Sequence, residues 1–191
     1  EEGRLIHNPY GNEACRYNLL HYLRHLADTG INVMLIGEAT GYRGCALTGI
    51  PFTDEVQLKN SDNIYALGTW PRRSETKNTS ERSSSAVWSA LRRHHMTALM
   101  WNIFPFHPYK EGNSNSNRTP TQMELQEGIQ YVKALISIFT VDDSRIFAVG
   151  KKAKSALGLI DDSHYIRHPA NDYKKEFQVQ FDMKIGKSVR T

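Results

Sequence analysis

Val33-Met34-Leu35-Ile36-Gly37-Glu38-Ala39-Thr40-Gly41 is the stretch that decides the fold. Four apolar residues in a row, too few for a helix, run directly into a glycine and a carboxylate. A short unbroken apolar run reads as a strand buried on both faces, the pattern of parallel sheets. The polar residues that follow it then stand outside the carboxyl end of a strand, where open α/β sheets hold their ligands. Working outward, further runs at 99–101, Ile146–Val149 and Tyr165–Ile166 read as strands. The last is short and is read chiefly from Arg167-His168-Pro169-Ala170 behind it.

Helical patterns fall between these runs. Leu125, Ile129, Val132, Ile136 and Phe139 share one helix face, and Thr121 with Glu124 forms a capping box in front of them. Leu19, Leu23 and Leu26 predict a helix before the first strand. Val87 and Leu91 predict another, with Ser83 to Ser85 as its caps. A short helix is expected over 153–157. Strands alternating with helices imply an α/β fold: a three-layer α/β/α sandwich around a central, mostly parallel four-stranded sheet. Residues 1–191 are expected to form a single domain. Segments 59–82 and 103–120 carry no regular pattern and read as long loops.

Composition narrows the function classes. A net charge of +4 is mild and permits a polyanionic partner without requiring one. Residues 72–93 concentrate that charge, as a backbone-tracking patch or as a solvated helix face. Cys15 and Cys45 are too few for a four-thiolate metal or iron–sulfur site, so no metal is expected. No apolar run approaches the ~20 residues of a membrane helix, and Glu1-Glu2-Gly3-Arg4 does not read as a signal peptide. A soluble, cytoplasmic monomer is the expectation.

Four places carry candidate chemistry. Glu38 ends the first strand, and Gly49-Ile50-Pro51-Phe52-Thr53 follows it. Taken alone, a residue such as Glu38 is more often a helix cap or ion-pair partner, and one such as Phe52 more often a core residue. Asn102, at the second strand end, offers a donor and an acceptor through one amide, or turns the chain in an Asx-turn. Lys151 and Lys152, after Gly150, stand at a helix start where a phosphate can bind, or are simply solvated. His168 follows the fourth strand.

This ordered series resembles the uracil-DNA glycosylase superfamily, most of all its thermostable, bacterial-type branches. The residues that carry the resemblance are Gly37-Glu38-Ala39-Thr40-Gly41, Gly49-Ile50-Pro51-Phe52, Asn102, Asn117-Arg118-Thr119-Pro120-Thr121, Gly150-Lys151-Lys152-Ala153 and His168-Pro169-Ala170. They span roughly residues 30 to 180. The resemblance implies an enzyme that flips a nucleotide out of DNA and hydrolyses its N-glycosidic bond without a cofactor. Phe52 would stack on the base, Asn102 would bond its Watson–Crick edge, and His168 would donate to a carbonyl oxygen of the departing base. Glu38 would position the water, with Asp54 as the alternative. Lys151, Lys152 and Arg167 would contact phosphates, and Tyr173 would either enter the gap left by the flipped base or pack on the next helix.

The chain departs from the family pattern at Thr40, where proline is usual, and this predicts a less rigid loop. The base is uracil or another altered base, a bulky modified pyrimidine of phage DNA among them. Bulk from Tyr42 or Tyr109 beside Phe52 would exclude such a base. A catalytically silent DNA-binding module on the same scaffold is the alternative from another class.

Overall fold

Four parallel strands make the central sheet: β2 (Val33–Ala39), β3 (Ala98–Phe104), β5 (Ile146–Val149) and β6 (Tyr165–Ile166), in the order β3-β2-β5-β6. The computed structural model describes residues 5–59, 79–158, 162–170 and 173–186. Residues 60–78, which belong to the 59–82 segment and include the start of the basic stretch 72–93, and Asn171, between the His168 motif and Tyr173 in sequence, lie outside the described residues.

Each predicted strand is present, and two run longer than their apolar cores. β2 continues through Gly37 and Glu38 to Ala39, and β3 through Asn102 to Phe104, because the two pair in register from Val33 and Ala98 to Ala39 and Phe104. Gly37 lies opposite Asn102 in that ladder. On its other side β2 pairs with β5, Ile36 facing Ala148, and β5 pairs with β6, Val149 facing Ile166. β2 is therefore central. The chain leaves it for β3 on one side and returns to β5 on the other, so the direction of winding reverses between β2 and β5. Such a switch point opens a crevice at the carboxyl ends of the strands.

With the right-handed crossovers that parallel strands require, the strand order sets α4 (Arg82–His94) on one face of the sheet and α5 (Gln122–Phe139) and α6 (Lys151–Ala156) on the other. The last helix, α7 (Lys174–Lys184), packs against α4. Two short helices, α2 (Cys45–Thr48) and α3 (Glu55–Lys59), fill the connection after β2. The core runs continuously from Tyr22 and Leu26 through the strands to Phe177 and Phe181.

The first helix, α1 (Glu13–Thr29), covers an edge. Its Tyr22, fully buried, donates its hydroxyl proton to the Ala98 carbonyl at 2.7 Å and accepts from the Met100 N–H at 2.8 Å. These are backbone groups of edge strand β3, and one side chain satisfies both.

Two local expectations are corrected. Ser83 and Ser84 are buried inside the first turn of α4, and Glu81 takes the N-cap position, because the Glu81 N–H is held by the Asp54 carboxylate at 2.7 Å. The segment 103–120 is not structureless. His107–Pro108 forms β4, antiparallel to β1 (Ile6–His7). Arg118 and Glu124 anchor its far end: the guanidinium makes two 2.7 Å bonds to the buried carboxylate, which also caps α5 through the predicted Thr121 box.

Candidate functional site

The crevice at the switch point is a cavity of about 520 Å³. Glu38 from β2, Phe52 from the turn after α2, Asn102 from β3, Lys151 and Lys152 from α6, and His168 from the turn after β6 all line it. The parallel register is what brings these distant residues together, since every strand ends at the same side. Thr40, Cys45, Glu81, Ser83, Asn117 and Arg118 line it as well.

Phe52 is buried and sits at φ 53°, a left-handed conformation uncommon for a bulky residue. The Trp88 Nε1–H donates to its carbonyl at 3.1 Å and holds this turn in place. Gly37 makes room for the ring. A Cβ there would lie 2.8 Å from Phe52 Cζ and closer still to Asn102 Oδ1, so these two side chains meet in the space that glycine leaves open. The Phe52 and His168 rings stand 6.4 Å apart, inclined by 41°.

His168 accepts the Ala170 N–H at Nδ1, 3.2 Å away. A ring nitrogen that accepts carries no proton, so in the neutral ring the proton sits on Nε2. Burial pushes the His168 pKa below the usual histidine range. Both effects favour a neutral imidazole with one N–H to donate.

Glu38 is a carboxylate under opposing influences. Burial raises its pKa, and the Lys152 ammonium, 3.6 Å from Oε1, pulls it back down. Lys152 also donates to Thr119 Oγ1 at 2.6 Å. It thus faces Glu38 and the cavity rim, a partner that the sequence reading of phosphate contact or plain solvation did not include. Asp54 does not reach the cavity wall. It is fully buried and accepts from the Gln57 and Glu81 N–H groups at 2.8 and 2.7 Å, so its carboxylate caps α3 and secures Glu81.

Glu81 is a second carboxylate on the wall that the sequence reading missed. Ser83 Oγ donates to its Oε1 at 2.6 Å, and burial pushes its pKa up. Gly44 admits it, because a Cβ on Gly44 would collide with Glu81 Oε2. No sequence signal marks it, for it stands at the end of a polar segment without pattern. Cys45 also lines the cavity, but burial pushes its thiol up to about 12. A protonated thiol is no nucleophile.

Arg167 and Tyr173 are not among the wall residues. The Arg167 guanidinium carbon lies 3.6 Å from the centre of the Tyr173 ring, and its Nε is 3.5 Å from Glu176. Tyr173 stays 39 % exposed beneath this stack, close in sequence to His168. Tyr42 and Tyr109 are absent from the wall too; both rings lie beside His107, at 6.5 and 6.0 Å between centroids.

Thr40 is tied down, contrary to the looser loop its replacement of proline predicts. It is buried, its hydroxyl donates to the Pro105 carbonyl at 2.8 Å, and its own carbonyl lies 3.0 Å from His107 Nδ1. Among the described residues, no group of three or more His, Cys, Asp or Glu side chains is arranged to hold a metal ion.

Comparison with known proteins agrees with this architecture. A solved structure, that of wild-type SMUG2 from Pedobacter heparinus, superposes with a TM-score of 0.64 at 16 % identity, covering 100 % of this chain and 89 % of that one. No curated protein matches the chain in sequence. The family model of the uracil DNA glycosylase superfamily matches residues 24–183, which take in every strand of the central sheet and every cavity residue named above. The chain belongs to the uracil DNA glycosylase superfamily, a family of DNA glycosylases.

Proposed function

We propose that this protein hydrolyses the N-glycosidic bond of uracil, or of another altered base, in a nucleotide flipped out of DNA, leaving an abasic site. One observation carries the reading: Glu38 and Phe52 from β2 and the turn behind it, Asn102 from β3 and His168 from behind β6 converge on one cavity. Together they supply a flat apolar surface, an amide edge, a neutral N–H donor and a carboxylate.

Each side chain then has a physical task. Phe52 stacks on the base, which recovers part of the few kcal/mol spent on unstacking it from the duplex. Asn102 bonds the Watson–Crick edge. As the bond between the sugar C1′ and the base nitrogen breaks, its electron pair passes to the base and negative charge grows on a base carbonyl oxygen. The His168 Nε2–H stabilises that oxygen, and a neutral donor does so without first giving up its proton. Glu38 faces the positive charge that develops on the sugar and orients the water that attacks C1′. The water's proton passes to solvent or to the departing base. Lys151, exposed at the rim, contributes to holding the phosphates, and Arg167 with Tyr173 lies against the DNA beside His168.

The test is a panel of oligonucleotides, single-stranded and duplex, carrying uracil, hypoxanthine or a bulky modified pyrimidine, with abasic product measured. Excision of uracil or hypoxanthine supports the reading. Excision of the bulky pyrimidine alone moves it to the phage-DNA alternative. Binding without abasic product from any substrate leaves the silent DNA-binding module.

A further inference from the structure

Asn102 presents its amide to the cavity, and one bond decides which way round. Its Nδ2 donates to Thr40 Oγ1 at 3.5 Å, the hydrogen bond made by this side chain among the described residues. Its Oδ1 turns the other way, into the space beside Gly37 and Phe52. Thr40 has a single hydroxyl proton, which goes to the Pro105 carbonyl at 2.8 Å, the stronger acceptor, or to Cys45 Sγ at 3.4 Å. Toward Asn102 the Thr40 oxygen therefore offers only lone pairs. A reversed amide would set Oδ1 against Oγ1, two acceptors with no proton between them, in a place where Thr40 and Asn102 are 2 % and 5 % exposed. Buried acceptors facing each other without a donor are costly, because no water can repair the loss.

We infer that Thr40 is a positioning residue that sets base specificity by locking the orientation of the Asn102 amide. The inference rests on the glycosylase reading above and extends it to the class of base accepted. In the locked orientation the amide shows the base an acceptor, Oδ1, with the second Nδ2–H beside it as donor. That pair matches an edge with a ring N–H next to a carbonyl, as in uracil and hypoxanthine. Cytosine shows the opposite pattern, an unprotonated ring nitrogen beside an amino group, and matches only the reversed amide. A site with fixed donors and acceptors rejects the wrong pattern because its buried groups are left unpaired. The relay Pro105–Thr40–Asn102 thus excludes undamaged cytosine from a cavity roomy enough to admit it.

Thr40→Val keeps the shape and removes the hydroxyl, and Thr40→Ser keeps the hydroxyl. Single-turnover excision is measured for each from matched oligonucleotides carrying uracil or cytosine. Thr40→Val is expected to narrow the uracil-to-cytosine ratio at least tenfold, and Thr40→Ser to restore it. A merely structural role would lower both rates together and leave the ratio unchanged, and that result overturns the inference. If Thr40→Val does not fold, Thr40→Ala serves with the same ratio as readout. A wild-type protein inactive on every base of the earlier panel refutes the glycosylase reading itself. Activity on uracil with a ratio indifferent to Thr40 refutes only the lock.

Discussion

The Phe52 and His168 rings stand 6.4 Å apart across the cavity, one from the turn behind β2 and the other from the turn behind β6. A base stacked on the first ring, as proposed, would have its edge beside the second. On the proposed chemistry, His168→Ala keeps the stacking surface and loses the donor. Single-turnover excision is expected to fall about 100- to 1000-fold, with oligonucleotide affinity changed far less. Equal losses in rate and affinity would assign His168 to binding.

The opposing influences on Glu38 predict the acid side of the pH profile. On the proposed chemistry its carboxyl acts in the ionised form, and burial holds its pKa above the ordinary value of 4.5 while Lys152 pulls downward. Lys152→Met leaves only the raising influence. The acidic limb of kcat is expected to move to higher pH in this variant, with the plateau reached later. A limb that stays put or moves down would show that another group governs it.

The same carboxylate affects stability with a definite sign. A carboxyl whose folded pKa is raised favours the fold at pH values below its unfolded pKa, and that advantage is lost as pH rises through the folded value. Glu38→Gln removes the neutral-pH penalty. The variant is expected to be more stable than the wild type at pH 7 while losing activity, and the gain should disappear once the pH falls below the ordinary carboxyl range. Thermal unfolding at the two pH values measures it.

Gly37→Ala places a methyl group against the Phe52 ring and the Asn102 amide at once. Overpacking of this kind costs about 1–3 kcal/mol, or several degrees in Tm for a chain of this size. Excision should drop more than the stability loss explains, since both displaced groups line the cavity where the proposed chemistry sets the base. Undiminished excision would mean that neither needs its present place.

Arg118→Met removes the two bonds to the buried Glu124 carboxylate and leaves that charge uncompensated. A cost of about 3–5 kcal/mol is expected, read by denaturant unfolding. The pair joins the start of α5 to the 103–120 segment, and excision per folded molecule, measured alongside, separates this loss from the effect of removing a guanidinium from the cavity wall.

What the sequence made legible was local. Residues 33–36 and 146–149 announce buried strands by their own apolar run, and Thr121 with Glu124 announces a helix start three residues apart. Glu38, Phe52, Asn102 and His168 could be named because each ends or follows such an element. Glu81 could not, since its place depends on an N–H held by Asp54 and on the gap left by Gly44. Thr40 was misread for the same reason. A missing proline suggests slack, but its hydroxyl finds the Pro105 carbonyl only when the chain is folded. The β1–β4 pairing, two residues on each side, is too short to announce itself by alternation.

One consequence follows from Tyr22. Open sheets carry a standing hazard at their outermost strand, whose bare N–H and C=O groups invite a strand from another molecule. Along 98–100 the invitation is withdrawn by a phenol, which occupies one carbonyl and one N–H of the ladder at once. A helix side chain here does the work of a fifth strand, and this stretch of the margin is closed to fibre-like growth and strand exchange.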